Sequence, residues 1–337
     1  MILRWLEAGA GLWLALVTLR DVCDTVIVPG GSRGALKLVR RLARGALPLW
    51  KHVRGGAISV NFAPAVMLGA FIGWMLLLVL AFGLMLHGIQ DAFSPPLDSF
   101  GGALYAAGSA MTTIGVGSGQ AHGIARLVLV LAGLCGLAVM TMAITYLLEV
   151  QSNIAHRDNG VLKLTTTAGQ PPSALGLLER YAALEIRDDL ADVLRHGRDW
   201  CAGVLQSHAS HPSLIYFRSA GTGSGWPATL GTMVDLSLII EHLLDEPRLR
   251  GLAVLLREQA ARLAREIAGL VAVAPADASP SLDDVETLCD RLRAAGYAVR
   301  ELLDVDDFIA ARGSDVACID ALSHHLGTSP APLLAAE

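Results

Sequence analysis

Charge is scarce in this sequence, and the places where it is missing altogether are informative. Only 17% of the 337 residues are charged, 53% are hydrophobic and the mean hydropathy is +0.51, which points away from an ordinary soluble domain. Residues 63–86 contain no Asp, Glu, Lys or Arg, and neither do residues 127–148. Each run exceeds the ~20 residues that a helix needs to cross a ~30 Å hydrocarbon core. A buried core helix is the plain alternative, but core helices are rarely so long or so uniformly apolar. Paired cysteines are also missing. Cys23, Cys135, Cys201, Cys289 and Cys318 are scattered with no Cys-x-x-Cys, so reduced thiols are expected. Alternating strand pattern is nearly absent, apart from a short piece at "SLIYF". With no Gly-x-Gly-x-x-Gly turn after a strand, a Rossmann-type nucleotide-binding domain is excluded. The glycines of 221–225 precede Trp226 and Pro227 and read as a flexible loop. Walker, EF-hand and cyclic-nucleotide-barrel patterns are missing too, as is any nucleophile–base arrangement, which argues against an enzyme.

Acidic residues are missing from 31–58, where Arg33, Lys37, Arg40, Arg41, Arg44, Lys51 and Arg54 stand. Short loops rich in Lys and Arg stay in the cytoplasm. Leu36, Val39, Leu42, Leu47 and Trp50 can lay an apolar stripe on the membrane while the cations from Arg33 to Arg54 meet anionic headgroups. A merely solvated charged face is compatible with the same pattern. The chain then enters the membrane near Ala63, emerges outside near His87 and returns through 127–148, leaving everything after Gln151 cytoplasmic. Residues 1–28 are a weaker third span, because Arg4, Glu7, Arg20, Asp21 and Asp24 interrupt them. A signal peptide and an interfacial helix are the alternatives. The preferred reading is a membrane helix whose ionisable groups face protein and pair there, with its N-terminus outside.

Between the two uncharged runs lies a segment that is hard to pack. "DAFSPPLDSF" turns at Pro95 and Pro96, and Asp98 or Ser99 can cap a following helix. "SFGGALYAAGSAM" is too short to span but suits a re-entrant helix. "MTTIGVGSG" (111–119) then climbs back outward. Irregular backbone at membrane depth survives only where it is buried in protein or lines a wet cavity. A loop with little side chain offers backbone carbonyls, Thr113 adds a hydroxyl, and Gly115 and Gly117 permit the required backbone angles. Rings of such carbonyls can replace the water around a dehydrated cation. The preceding helix is expected to aim the negative end of its dipole at that cation.

Span, short helix, "TTIGVG" and span resemble the pore module of two-transmembrane-type, pore-loop potassium channels of bacterial type. The resemblance covers residues 63–150. It rests on Ala103, Leu104 and Tyr105, then Thr112, Thr113, Ile114, Gly115 and Gly117, with Arg126 and Gly136 in the following span. The upstream "RDVCDTVIVPGG" and its basic loop look like an extra N-terminal helix of some bacterial relatives. The resemblance implies a homotetramer passing potassium through a filter made by Thr113, Ile114, Gly115, Val116 and Gly117. Val116 stands where the family has Tyr or Phe, Ser118 where it usually has Asp, and Ser109 where some members have an acid. These departures leave a non-selective cation channel that also passes sodium as an alternative. A weakly conducting membrane sensor signalling through its tail is the other. Gly133 and Gly136 are hinge candidates for a gate, close helix packing being the plain alternative. Asp91, Asp98 and His122 near the outer mouth carry equally ordinary readings as caps and exposed polar groups.

Residues 151–337 read as a polar linker followed by helices over 174–207, 230–244, 249–273, 282–295 and 304–326, with amphipathic runs at "LLREQAARLAREIAGLVAV" and "LCDRLRAAG" and with Ser281 and Asp284 resembling a capping box. His208, His211, His324 and His325 lack the further ligands that a metal site needs. The expected whole is an all-α membrane protein with an N-terminal membrane helix (1–30), a basic amphipathic linker (31–60), a potassium-channel-like pore module (61–150), a linker (151–172) and a helical cytoplasmic domain (173–337). No cofactor is expected beyond the permeant cation, and no nucleic-acid partner.

Overall fold

The computed structural model describes residues 2–27, 38–53, 61–115, 119–218, 221, 223–275, 279–300 and 305–334. The protein is an all-α membrane protein. It divides into two compact units, Met1–Leu49 with Ala63–Gln151, and Trp50–Phe62 with Ser152–Glu337.

The first unit is built from α1 (Ile2–Val26), α2 (Leu38–Val53), α3 (Phe62–Gly88), the short helix α4 (Phe100–Met111) and the first part of α5 (Ile124–Ala168). Among the described residues α1, α3 and α5 are long and apolar enough to cross a membrane. The uncharged runs form α3 and α5 because nothing in them stops a helix and no polar side chain competes with the backbone. Their shared core holds Trp74, Leu78, Phe82, Leu86, Ala103, Ala107, Met111, Ala132 and Val139. Small residues let backbones approach closely: a Cβ at Gly83 would lie 3.4 Å from the Leu104 Cα.

Helix α1 buries Gly11, Ala15, Thr18, Asp21 and Val22, a stripe at helical spacing. Its ionisable groups pair as expected of a membrane helix facing protein. Arg4 donates to Asp91 at 2.6 Å, Glu7 meets His87 Nδ1 at 2.8 Å, and Asp21 accepts from the Trp74 indole at 2.9 Å. These pairs make α1 antiparallel to α3. In α2, Leu38 and Val39 are half-buried and pack against the protein core; of the other expected stripe positions, Leu36 and the side chains of Leu47 and Trp50 lie outside the described residues. The remaining basic positions Arg33, Lys37 and Arg54 lie outside the described residues, so the headgroup reading is untouched there.

Two features of the chain were not expected. Phe93–Ser94 (β1) pairs antiparallel with Gln120–Ala121 (β2), with Phe93 opposite Ala121. The polar stretch after Gln151, expected to be a linker, is helical as far as Ala168, making α5 a single helix of 45 residues, about 67 Å long. Thr165, Thr166 and Thr167 argue locally against helix, but their hydroxyls donate to carbonyls three or four residues back. Arg157, Val161, Leu164 and Ala168, at helical spacing, are all buried.

The second unit packs that end of α5 with α6 (Ala174–Ala183), α7 (Leu190–Ser210), α8 (Gly225–Leu238), α9 (Pro247–Val271), α10 (Leu282–Ala294) and α11 (Val305–Leu326). The expected single helix over 174–207 is broken between α6 and α7 by Glu185 in the left-handed region (φ 59°) and the short turn Arg187–Asp189. Helix α8 is buried on every side from Trp226 to Leu238, which is why it carries no amphipathic pattern. Its one ionisable side chain, Asp235, is bound by Arg312 of α11 through two contacts at 2.8 and 3.2 Å. "SLIYF" is not a strand. Pro212 starts a 3-10 helix through Tyr216, and adjacent Leu214 and Ile215 are both buried. The Ser281–Asp284 capping box is present as expected.

Candidate ion-conduction site

Helix α4 begins because Ser99 leaves the helical region and its side chain accepts from the Gly102 amide. Twelve residues span about 18 Å, too little to cross a membrane. It is held inside the first unit by Ala103, Ala107 and Met111, each fully buried. The helix therefore delivers Thr112 to Gly115 to a set place.

What happens at its end is specific. The Thr112 amide donates to the Gly108 carbonyl (2.9 Å) and the Thr113 amide to Ala110 (3.1 Å). The Ile114 and Gly115 amides both donate to the Ser109 carbonyl, at 3.0 and 3.2 Å. The Thr112 hydroxyl also returns to Gly108, at 2.8 Å. The Gly108, Ser109 and Ala110 carbonyls of α4 are thus filled by the backbone that follows them.

The consequence is that the loop's donors are spent while its acceptors are not. Among the described residues, the carbonyls of Thr113, Ile114 and Gly115 accept no hydrogen bond, and all three residues are exposed on the protomer. Exposed Ile114 (66%) is an unusual cost for an apolar side chain in a loop. Thr113 (φ 60°) and Gly115 (φ 73°) both adopt the left-handed region. Glycine does so at little cost, but for β-branched Thr113 the conformation stores strain of order 1–3 kcal/mol. Such strain persists only where the surroundings impose it. Val116 and Gly117, the other two filter candidates, and Ser118 lie outside the described residues.

Downstream, the β1–β2 pair ties the exit of the loop to the segment after α3. The His122 amide donates to the Ala92 carbonyl (2.8 Å), and Arg126 Nε holds the Ala121 carbonyl at 2.7 Å. Gly119 sits so close to Pro95 that a Cβ would lie 2.7 Å from its carbonyl oxygen. Sequence reasoning reached Arg126 by resemblance, but no local signal marks two dipeptides that pair across the pore segment. Of the mouth acids, Asp91 is bound by Arg4 and Asp98 is exposed.

The hinge candidates lie against the same helix. A Cβ on Gly133 would stand 3.3 Å from the Ala110 carbonyl oxygen, and one on Gly136 would overlap the Met111 backbone. Helix α5 runs unbroken through both. Both glycines thus stand in close contact with α4 in this conformation.

In the second unit the histidines do not assemble a site. His208 is buried with Nδ1 on the Val204 carbonyl at 2.8 Å, and burial with the nearby Arg157 charge pushes its pKa down to about 3. No group of three or more His, Cys, Asp or Glu side chains placed to hold a metal occurs among the described residues. The cysteines are all free thiols, and burial pushes the Cys201 thiol far above its ordinary range.

Residues 74–153 match the model of a family described as "Ion channel", and the match takes in α4, the loop and most of the apolar part of α5. No curated protein and no solved structure matches the chain.

Proposed function

We propose that this chain is one subunit of a homotetrameric cation channel that conducts potassium through the backbone carbonyls of Thr113, Ile114, Gly115 and Val116, with Gly117 completing the filter and the Thr113 hydroxyl at its inner end. One observation carries the reading: the amides of 112–115 are committed to α4, while residues 113–115 are exposed and their carbonyls accept no hydrogen bond from the described residues. Unpaired carbonyls at membrane depth are costly unless something accepts their lone pairs, and a dehydrated cation does so when several chains face one axis. The ion channel family match over the same residues supports it. Four copies are needed because each chain supplies one loop and a ring must close.

In this reading the 1–30, 61–88 and 124–148 segments cross the membrane, the N-terminus is outside, and the second unit is cytoplasmic. The basic cluster from Arg33 to Arg54 faces anionic headgroups, and α5 carries the gate toward the second unit. A non-selective filter is the second reading, favoured by Val116 in place of the family's aromatic. Potassium flux into liposomes holding purified protein, with reversal potentials under potassium and sodium gradients, tests both. Absence of flux from a protein of tetrameric mass would overturn the channel reading and leave a membrane sensor.

A further inference from the structure

Asp21 is a carboxylate inside a membrane-crossing helix and is 1% exposed. Such a group is expensive to bury and ordinarily carries a function. Its Oδ2 accepts two hydrogen bonds from different elements, the Trp74 indole N–H of α3 at 2.9 Å and the Leu38 backbone N–H at 3.2 Å. Leu38 is the first described residue of α2, so the carboxylate ties that helix to α1. Because one oxygen takes both donors, any displacement of α2 acts on the atom that holds Trp74.

Trp74 does not end the chain of contacts. Its ring packs on Phe71 with centroids 5.7 Å apart, and Phe71 meets the Tyr146 ring edge-on at 6.4 Å. Tyr146 lies on α5 and is buried at 4% exposure. It stands ten residues beyond Gly136, about 15 Å along the helix from the contact with α4. It therefore belongs to the end of the span away from the filter loop. On the other side, Leu38 also touches α3 beside Gly73, where a Cβ would lie 3.0 Å from its Cδ2. Helix α1, the described start of α2, the outer helix α3 and the far end of the pore-lining helix are thus joined through one carboxylate and three aromatic rings.

We propose that Asp21 is a positioning residue for gating, which transmits the placement of the amphipathic helix α2 through Trp74 and Phe71 to Tyr146 on α5. The proposal rests on the channel reading above and adds the element that sets the gate. It implies that α1 is a working part of the channel rather than an anchor.

The test uses full-length protein in planar bilayers with symmetric potassium. Asp21→Ala and Trp74→Phe each change open probability by about fivefold or more in the same direction, while single-channel conductance and reversal potential stay at the parent values. Asp21→Asn, which keeps an acceptor oxygen, restores most of the parent behaviour. The double variant goes no further than the larger single one, because both remove the same link. Tyr146→Leu moves open probability the same way. Unchanged open probability in intact tetramers, additive effects of the pair, or a shifted reversal potential would each overturn the proposal. If the parent carries no current, the channel reading fails first, and the link is read without current from the rate of thiol modification at Thr145→Cys, next to Tyr146. Asp21→Ala and Trp74→Phe then alter that rate by about threefold or more, and an unaltered rate overturns the link itself.

Discussion

Gly136→Ala is the sharpest perturbation of the packing that places the loop. An alanine Cβ there would lie 2.8 Å from the Met111 Cα and 2.9 Å from its carbonyl carbon, and closer still to the carbonyl oxygen. These are backbone atoms of the last residue of α4, so no rotamer change relieves the overlap. Ordinary carbon–carbon contact begins near 3.5 Å, so the two carbon contacts alone require α4 and α5 to part by roughly 0.6–0.7 Å, and the closer carbonyl oxygen requires more. Overpacking of that kind costs about 1–3 kcal/mol. Helix propensity offsets about 1 kcal/mol of it, since alanine is the better helix former. The net is a destabilisation of up to about 2 kcal/mol, together with a displaced Met111–Thr112 junction where the exposed carbonyls begin. Gly133→Ala is the paired control. Its nearest neighbour is the Ala110 carbonyl oxygen at 3.3 Å, so a shift of a few tenths of an ångström suffices, and the propensity gain leaves it neutral or slightly stabilised. The assay is survival of the oligomer in detergent after heating, read by size-exclusion chromatography, alongside potassium flux in liposomes. Gly136→Ala should lose flux and melt earlier, and Gly133→Ala should do neither. Equal behaviour of the two, or full flux in Gly136→Ala, would refute the packing argument and revive a hinge at these glycines.

Gly115→Ala should abolish potassium flux with little loss of protomer stability. Among the described residues no atom lies within 4 Å of a Cβ there, and the cost is the left-handed φ of 73°, of order 1–2 kcal/mol; unchanged conductance and reversal potential would mean that this loop is not the filter. Cysteines introduced at Lys37 or in the second unit should resist impermeant thiol reagents in intact cells while one at Asp91 labels, and labelling at Lys37 from outside would reverse the topology. Acid should loosen the second unit through His208, whose folded pKa of about 3 lies below its ordinary 6.5. Stability from this depressed pKa is complete above 6.5 and is lost as pH falls toward 3, reaching about 2 kcal/mol by pH 5. Unfolding followed by helical signal from pH 7 to 4 should show that loss, and His208→Asn, which keeps a donor for the Val204 carbonyl, should flatten it; an equal acid slope in both proteins would place the acid sensitivity elsewhere.

Sequence alone determined the features whose cause is local. Two uncharged runs must be helices that cross or are buried, because nothing within them competes for backbone hydrogen bonds. Ser99 starts α4 and the Ser281–Asp284 pair starts α10, because a cap reaches only three residues. The short helix followed by Thr113, Ile114 and Gly115 was legible for the same reason, and so were the amphipathic helices α9 and α10. Tertiary structure decided the rest. Helix α5 continues to Ala168, and a Cβ at Gly160 would overlap the Trp200 indole, which also donates to the Arg157 carbonyl at 2.9 Å. The spacing of Val161, Leu164 and Ala168 hinted at that continuation, but three threonines in a row and a glycine spoke against it. The partner of Asp21 is 53 residues away, and β2 pairs with a dipeptide on the far side of α4. Residue types at one position carry no information about which distant group will arrive there. Even the use of α4's last carbonyls was settled by the path the following backbone takes, because an exposed helix end accepts whichever donors its own chain brings within reach.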